Sequence, residues 1–274
     1  MTTETEATPA TQTDAKPARK RALVTGASSG LGEEFARQLA AKGYDVVIVA
    51  RRRDRLDKVA SEVRAKGADA EVIEADLSRP EGVTTVVQRL QKGDISLLVN
   101  NAGFGTSGEF SKMPIERELE EIDLNVRALT QLSHAALQPM KAKGKGAIIN
   151  VASTGAYQPV PYMSTYAATK AYVLFFSEGL HEEAKEYGVT VTCLCPGPTR
   201  TEFQEVAGVG ERLRVGFTTA DKVVAQALSA AKAGSAIATP GVMNKVTASL
   251  PRFTPRFVVR KISGAMFKRA SVNT

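Results

Sequence analysis

From Arg21 onward, short and nearly unbroken apolar runs alternate with longer segments whose apolar residues recur every three or four positions. The runs are ALVTG, YDVVIVA, AEVIEA, SLLVNNAG, GAIINVAS, VTVTCLCPG and SAIATPG. Between them lie helix-patterned stretches of roughly 12–20 residues, among them LGEEFARQLAAKG and RLDKVASEVRAKG. Strands alternating with helices predict βαβ units, hence an α/β fold with a doubly wound parallel sheet and helices on both faces. Strands covered on both sides need no polar face, which accounts for the continuous Val, Ile and Leu runs. The pattern predicts one such domain of about seven strands over residues 21–243. Residues 1–20 are Thr-, Ala- and Pro-rich, lack apolar periodicity and read as a disordered tail, not a secretory signal. Residues 244–274 form a basic extension, expected to be partly helical.

In this architecture ligands bind beyond the carboxyl ends of the strands, so the loops there are the place to look for chemistry. The first run ends in TGASSGLG, with glycines at 26, 30 and 32 ahead of a helix beginning near Leu31. Glycine permits a tight turn and close backbone approach, and the helix amides suit a pyrophosphate; taken alone, the motif is equally a plain turn. After the second run, Ala50 stands where an acid would bind a ribose 2′-hydroxyl, and Arg51, Arg52 and Arg53 follow. A guanidinium there suits a 2′-phosphate, which points to NADP over NAD. An exposed basic helix start is the other reading, poorly placed against the helix dipole. In STYAATKAY, Tyr166 and Lys170 are four positions apart and share one helix face. Spacing alone also allows a solvated face with an incidental contact.

Taken together and in order, TGASSGLG, Asp76, NNAG (residues 100–103), Asn125, Ser153, Tyr166-x-x-x-Lys170 and PGPTRT (residues 196–201) resemble the short-chain dehydrogenase/reductase family over about residues 21–243. Ser153 precedes Tyr166 by 13 residues, as in that family. The overall pattern is similar to the subset that includes hydroxysteroid dehydrogenases and long-chain 3-ketoacyl reductases, a weaker resemblance than that to the family. The resemblance implies a Rossmann-type fold and a catalytic set of Asn125, Ser153, Tyr166 and Lys170. It implies NADP(H) as cofactor, with Gly26, Ser28, Ser29, Gly30 and Leu31 along the adenosine-phosphate side and Arg51 at the 2′-phosphate. Asp76, with Leu77 beside it, would bind the adenine. Asn101, Ala102 and Gly103 would form the floor, and Pro196, Gly197 and Thr201 would hold the nicotinamide. Ala152 departs from the many members that have a second serine there.

Reducing a ketone adds hydride to carbon and a proton to oxygen, so an acid is needed beside the oxygen. Tyrosine titrates near 10, and an ammonium one turn away, with the oxidised nicotinamide, is expected to lower that by about 2. Lys170 would also bond the nicotinamide ribose. Ser153 would polarise the substrate oxygen. Asn125 would hold a water relaying protons to Lys170.

The substrate expected is a small carbonyl or alcohol compound, apolar in character. Phe104 and Phe110, the stretch Tyr157–Met163, and a loop from Phe203 through Val206, Val209 and Leu213 to Phe217 supply apolar side chains. Packing against one another or against a second subunit is the alternative for these residues. No arginine or lysine cluster stands out as a fixed carboxylate clamp; Arg200, Arg212 and Arg214 are the basic residues left open for that part.

The net charge of +7 comes from 36 basic and 29 acidic residues. Residues 244–274 hold Lys245, Arg252, Arg256, Arg260, Lys261, Lys268 and Arg269 and no acid, so the body is neutral. That argues against a nucleic-acid-binding body. On a helical wheel Val258, Val259, Ile262, Ala265 and Met266 fall within about 120°, with Phe257 and Phe267 outside that arc. Such a helix either touches anionic lipid, giving peripheral membrane contact, or packs on the protein. Cys193 and Cys195 alternate on a strand and His134 and His181 lie on helices, so neither a disulfide nor a metal site is expected. A cytoplasmic location, with or without membrane association, and a homodimer or homotetramer complete the expectation. The rival is an NADP-binding regulator or membrane-surface protein without turnover; retention of the whole Asn–Ser–Tyr–Lys set speaks against it.

Overall fold

The computed structural model describes residues 19–203, 207 and 218–271, with side chains as far as Lys268. Residues 1–18 of the expected disordered tail (1–20), together with Val206, Val209, Arg212, Leu213, Arg214 and Phe217, lie outside the described residues. All seven apolar runs form strands: β1 (Arg21–Thr25), β2 (Asp45–Ala50), β3 (Ala70–Glu74), β4 (Ile95–Asn100), β5 (Gly146–Val151), β6 (Val189–Leu194) and β7 (Ile237–Ala238). They make one parallel sheet in the order β3-β2-β1-β4-β5-β6-β7. The chain reverses its direction of winding between β1 and β4, which opens a crevice at their carboxyl ends.

The unbroken apolar runs serve two cores at once. In β2, Val46, Ile48 and Ala50 face one cluster while Val47 and Val49 face the other. The first cluster is covered by α1 (Gly30–Ala41), α2 (Arg53–Ala65) and α7 (Ala220–Lys232), through Phe35, Leu39, Leu56 and Val223. The second is covered by α3 (Pro80–Gln91), α5 (Leu129–Ala142) and the end of α6 (Ser164–Lys185), through Val86, Leu90, Leu132, Met140 and Ala184. Helix α4 (Ile115–Ile122) runs through a π-helical turn at Asp123–Ala128 into α5. Such a turn leaves the ladder locally out of step and is common at functional sites.

Polar groups inside the sheet are cross-linked. Asn100 Nδ2 donates to Asn150 Oδ1 at 2.9 Å and to Ser133 Oγ at 3.0 Å, and Asn150 Nδ2 donates to Ser177 Oγ at 3.0 Å. These bonds tie β4 to β5, α5 and α6. Cys193 and Cys195 are free and buried, and the buried His181 ring bonds the Val191 carbonyl. Among the described residues, no helix is long and apolar enough to cross a membrane.

The basic extension continues the fold as α8 (Val242–Ser249), a 3-10 turn at Leu250–Arg252, and α9 (Arg256–Ser271). Its packing differs from the helical-wheel expectation. Val259 and Ser263 are buried, and Phe267, placed outside the apolar arc, packs beside Val160, Met163 and Ala167. Ile262 and Met266, inside the arc, are exposed.

Candidate active site

The glycine turn after β1 is built as the sequence requires. Gly26 and Gly30 have φ of +66° and +58°, the left-handed region that side chains rarely adopt. A Cβ on Gly26 would lie 2.9 Å from the Ala102 Cα, and one on Gly32 would lie 2.2 Å from the Gly26 carbonyl oxygen. The turn is stitched to the loop after β4. Thr25 Oγ1 accepts from the Asn101 and Ala102 amides at 3.0 Å, and Asn101 Nδ2 donates to the Thr25 carbonyl at 2.9 Å. Ser29 extends ahead of α1 without a side-chain cap, so the first amides of that helix face the crevice without a side-chain acceptor.

Beyond β2, Arg51 and Arg52 diverge. Arg51 lies 3.8 Å from both the Asp76 and Glu120 carboxylates and is mostly exposed. Arg52 donates to Ser28 Oγ at 3.2 Å and to Glu202 at 3.0 Å, which brings it directly on to the glycine turn. Asp76 Oδ1 accepts from the Ser78 amide and hydroxyl at 2.9 and 2.7 Å. Burial pushes the Asp76 carboxyl up, but these bonds and the nearby Arg51 more than offset it and hold it below the usual range.

A single cavity of about 1230 Å³ joins these loops. It is lined by Gly26, Ser28, Ser29, Gly30, Leu31, Arg51, Asp76, Leu77, Asn101, Ala102, Gly103, Ser153, Tyr166, Lys170, Pro196, Gly197 and Thr201, all of them sequence candidates. Asn125 sits behind the wall, fully buried. Its Nδ2 donates to the Phe104 carbonyl at 2.8 Å and to Thr169 Oγ1 at 3.1 Å, and its Oδ1 accepts from the Phe104 amide at 3.2 Å. The side chain thus clamps the loop after β4 on to α6.

Lys170 is buried and donates from Nζ to the Val151 carbonyl at 2.9 Å; its Nζ lies 5.9 Å from the centre of the Tyr166 ring. A Cβ on Gly103 would stand 2.8 Å from Asn125 Oδ1 and 3.3 Å from Lys170 Nζ, so glycine lets the floor meet the ammonium. Ser153 caps the 3-10 turn at Thr154–Tyr157, its Oγ accepting from the Gly155 amide at 3.1 Å.

The titration behaviour differs from the expectation. Burial pushes the Tyr166 phenol up to about 12, with a hydrogen bond from Ser153 pulling back and Glu121 adding to the rise. Burial also pushes Lys170 down to about 8, opposed by Glu121. Burial penalises the charged form of both groups, and for the tyrosine it outweighs the Ser153 hydrogen bond.

Glu121, on α4, is the residue that sequence reasoning missed here. It is 0 % exposed; Thr106 Oγ1 donates to its Oε2 at 2.8 Å, and its Oε1 has no partner among the described residues. Burial pushes this carboxyl up to about 7, with Thr106 and Lys170 opposing and Glu118 assisting.

The end of the cavity away from the glycine turn is lined by apolar side chains, and they are only partly those expected. Phe104, Val160, Met163 and Phe203 line the cavity, and Phe203 packs on Tyr166 with ring centres 5.3 Å apart. Phe110 does not contribute: it lies in a 3-10 turn and is 60 % exposed. Tyr157 packs instead against Cys193 and Cys195. The outer wall comes from the basic extension, through Ala248, Leu250, Val259, Ile262, Met266 and Phe267. Asn244 anchors that wall, its side chain occupying the space a Cβ on Gly197 would fill. The apolar arc of α9 was the only sequence signal for this wall.

The family model for short chain dehydrogenases matches residues 20–211. A very-long-chain 3-oxoacyl-CoA reductase of Anas platyrhynchos is 32 % identical over 192 residues, which are 68 % of this chain and 62 % of that longer protein. Among solved structures, a short-chain dehydrogenase from Sphingobium yanoikuyae in complex with NADPH superposes with a TM-score of 0.78 at 35 % identity, over 86 % of this chain and 96 % of that one. A bulky-bulky ketone specific alcohol dehydrogenase from Comamonas testosteroni gives a TM-score of 0.74 at 30 % identity, over 86 % and 95 %.

Proposed function

The chain belongs to the short-chain dehydrogenase family, and on that premise we propose that it is an NADPH-dependent oxidoreductase that reduces an apolar ketone or aldehyde to the alcohol, with Tyr166 as proton donor. The observation that carries this reading is the cavity. One space holds a phosphate-binding turn at one end, the Ser153–Tyr166–Lys170 group in the middle and an apolar wall at the other end. Its volume exceeds the roughly 300–1,000 Å³ of a site for one small ligand, which suits a cofactor and a substrate together.

The residues fit a dinucleotide. The uncapped start of α1 and the left-handed Gly26 and Gly30 offer backbone amides to a diphosphate. The end of β2 carries no acid to repel a 2′-phosphate, and Arg51 is our assignment for holding that group, with Arg52 bracing the glycine turn. The NADPH complex of the Sphingobium relative supports the choice. Bound NADPH supplies the hydride that goes to the carbonyl carbon.

The protein's own groups handle the proton and the oxygen. A phenol with a pKa of about 12 is protonated throughout the neutral range, so the donor for reduction is in place. Ser153 hydrogen-bonds the phenol and is set to donate to the substrate oxygen. Lys170, with a pKa of about 8, is mostly an ammonium at neutral pH and stabilises the phenolate that remains once the proton has left. Asn125 and Gly103 hold the floor against that ammonium.

Exposed Ile115, Leu119 and Ile122 on α4 and Phe175 on α6 support a homodimer or homotetramer. Light scattering on the purified chain measures this directly. The enzymatic reading is tested by following NADPH oxidation with ketones graded from short to bulky and long-chain. Turnover rising with apolar size supports it, and no oxidation with any of them refutes it.

A further inference from the structure

Leu250, Ile262 and Met266 have a double position. Each lines the cavity, yet they are 55 %, 64 % and 51 % exposed, so they form the rim of its mouth. The helices around that rim leave further large apolar side chains uncovered: Val242, Met243, Val246, Phe257 and Phe253, the last 86 % exposed. Scattered exposed apolar residues are ordinary, but this many on one short segment mark a contact surface. The same segment carries exposed Lys245, Arg252, Arg256, Arg260 and Lys261, none of them ion-paired among the described residues. No acidic residue follows Asp221 in the whole chain.

We propose that residues 242–268 seat the protein on an anionic lipid surface, with the mouth of the cavity opening into it, so that substrate enters directly from the lipid. Charge complementarity selects this occupant. A second copy docked through the same surface about a two-fold axis would set these cations against themselves. A nucleic acid would satisfy the cations but not the exposed Phe, Met and Val side chains. A bilayer with anionic headgroups satisfies both, as it does for basic amphipathic helices lying in the interface. Seating on lipid does not depend on the reductase reading; lipid-borne ketone as substrate does.

The test uses the full chain and vesicles of phosphatidylcholine with or without phosphatidylserine. The variant Arg256→Gln/Arg260→Gln/Lys261→Gln changes only residues outside the cavity lining. Each basic residue near an anionic leaflet strengthens binding about fivefold, so losing three weakens it on the order of 100-fold. The expected result is co-sedimentation with phosphatidylserine vesicles at low salt that fades at high salt and is lost in the variant. Turnover of a long-chain ketone dissolved in those vesicles falls with binding, while turnover of a short water-soluble ketone stays at the wild-type rate. Absence of vesicle binding at low salt overturns the proposal, as does equal binding to phosphatidylcholine alone. Long-chain turnover that persists after detachment overturns the entry route. A Phe253→Ser/Phe257→Ser variant that loses a dimer, with no vesicle binding in the parent, assigns the surface to a second copy and also overturns it. If no ketone is reduced, the reductase reading fails while the vesicle arm still decides the seating.

Discussion

Replacing Glu121 by glutamine isolates the charge of one buried carboxyl group that acts on Tyr166 and Lys170. The group is 0 % exposed, and its pKa is pushed from 4.5 to about 7. Below about pH 4.5 it is protonated in the folded and unfolded chains alike, and contributes no pH dependence. As pH rises, the unfolded chain ionises first while the folded chain still holds the proton, so stability is lost until the folded group has also ionised, above about pH 7. A rise of about 2.5 in pKa corresponds to about 3 kcal/mol. Glutamine keeps an acceptor for Thr106 and cannot ionise. Glu121→Gln is therefore nearly neutral at about pH 4.5 and stabilises by up to about 3 kcal/mol at about pH 8. Urea unfolding at a series of pH values measures this as a widening gap in midpoint at constant slope. A gap that does not change with pH, or one that favours the wild type at high pH, would refute the reasoning. The same substitution removes the carboxylate that holds Lys170 up, so the lysine titrates further below about 8.

Three other substitutions probe the reductase reading. Tyr166→Phe removes the proton donor, and turnover drops below a tenth of wild type while NADPH binding, followed by fluorescence, is retained. Arg51→Ala weakens NADPH by about 10- to 150-fold, the worth of one charge-assisted contact, and leaves NADH nearly unchanged; equal affinity of the wild type for both cofactors contradicts the assignment. Gly103→Ala places a methyl 2.8 Å from Asn125 Oδ1 and 3.3 Å from Lys170 Nζ. It costs about 1–3 kcal/mol of stability and lowers turnover through the displaced lysine, an effect visible in steady-state kinetics where folding is intact.

The sheet was legible because each strand is buried on both faces, and a run such as VVIVA has few other ways to be satisfied. The loop motifs were legible for a related reason. Gly26 and Gly30 need left-handed backbone and Gly32 leaves no room for a side chain, so local chemistry shows through the sequence. The sign of the Tyr166 shift was not legible, because it depends on how much protein surrounds the phenol, a property of the assembled fold. Glu121 was hidden for the same reason: in ELEEIDLN it reads as one more solvated acid, and only the packing of α4 against α6 and Thr106 buries it. The outer wall escaped because α9 turns the buried Val259 and Ser263 and the half-buried Phe267 inward, and a buried serine does not register in an apolar pattern.

The order in which the cavity's parts occur along the chain has a consequence for biosynthesis. The glycine turn, Asp76 and the NNAG floor all precede residue 104, whereas the outer wall extends to Phe267. At translation rates of about 5–20 residues per second, roughly 10–30 s separate the synthesis of the cofactor floor from that of the last wall residue. Throughout that interval a nascent chain has the glycine turn, Asp76 and the floor but lacks the complete outer wall. Ribosome-bound chains stalled before Ala248 are therefore expected to lack an enclosed pocket even where the sheet has formed.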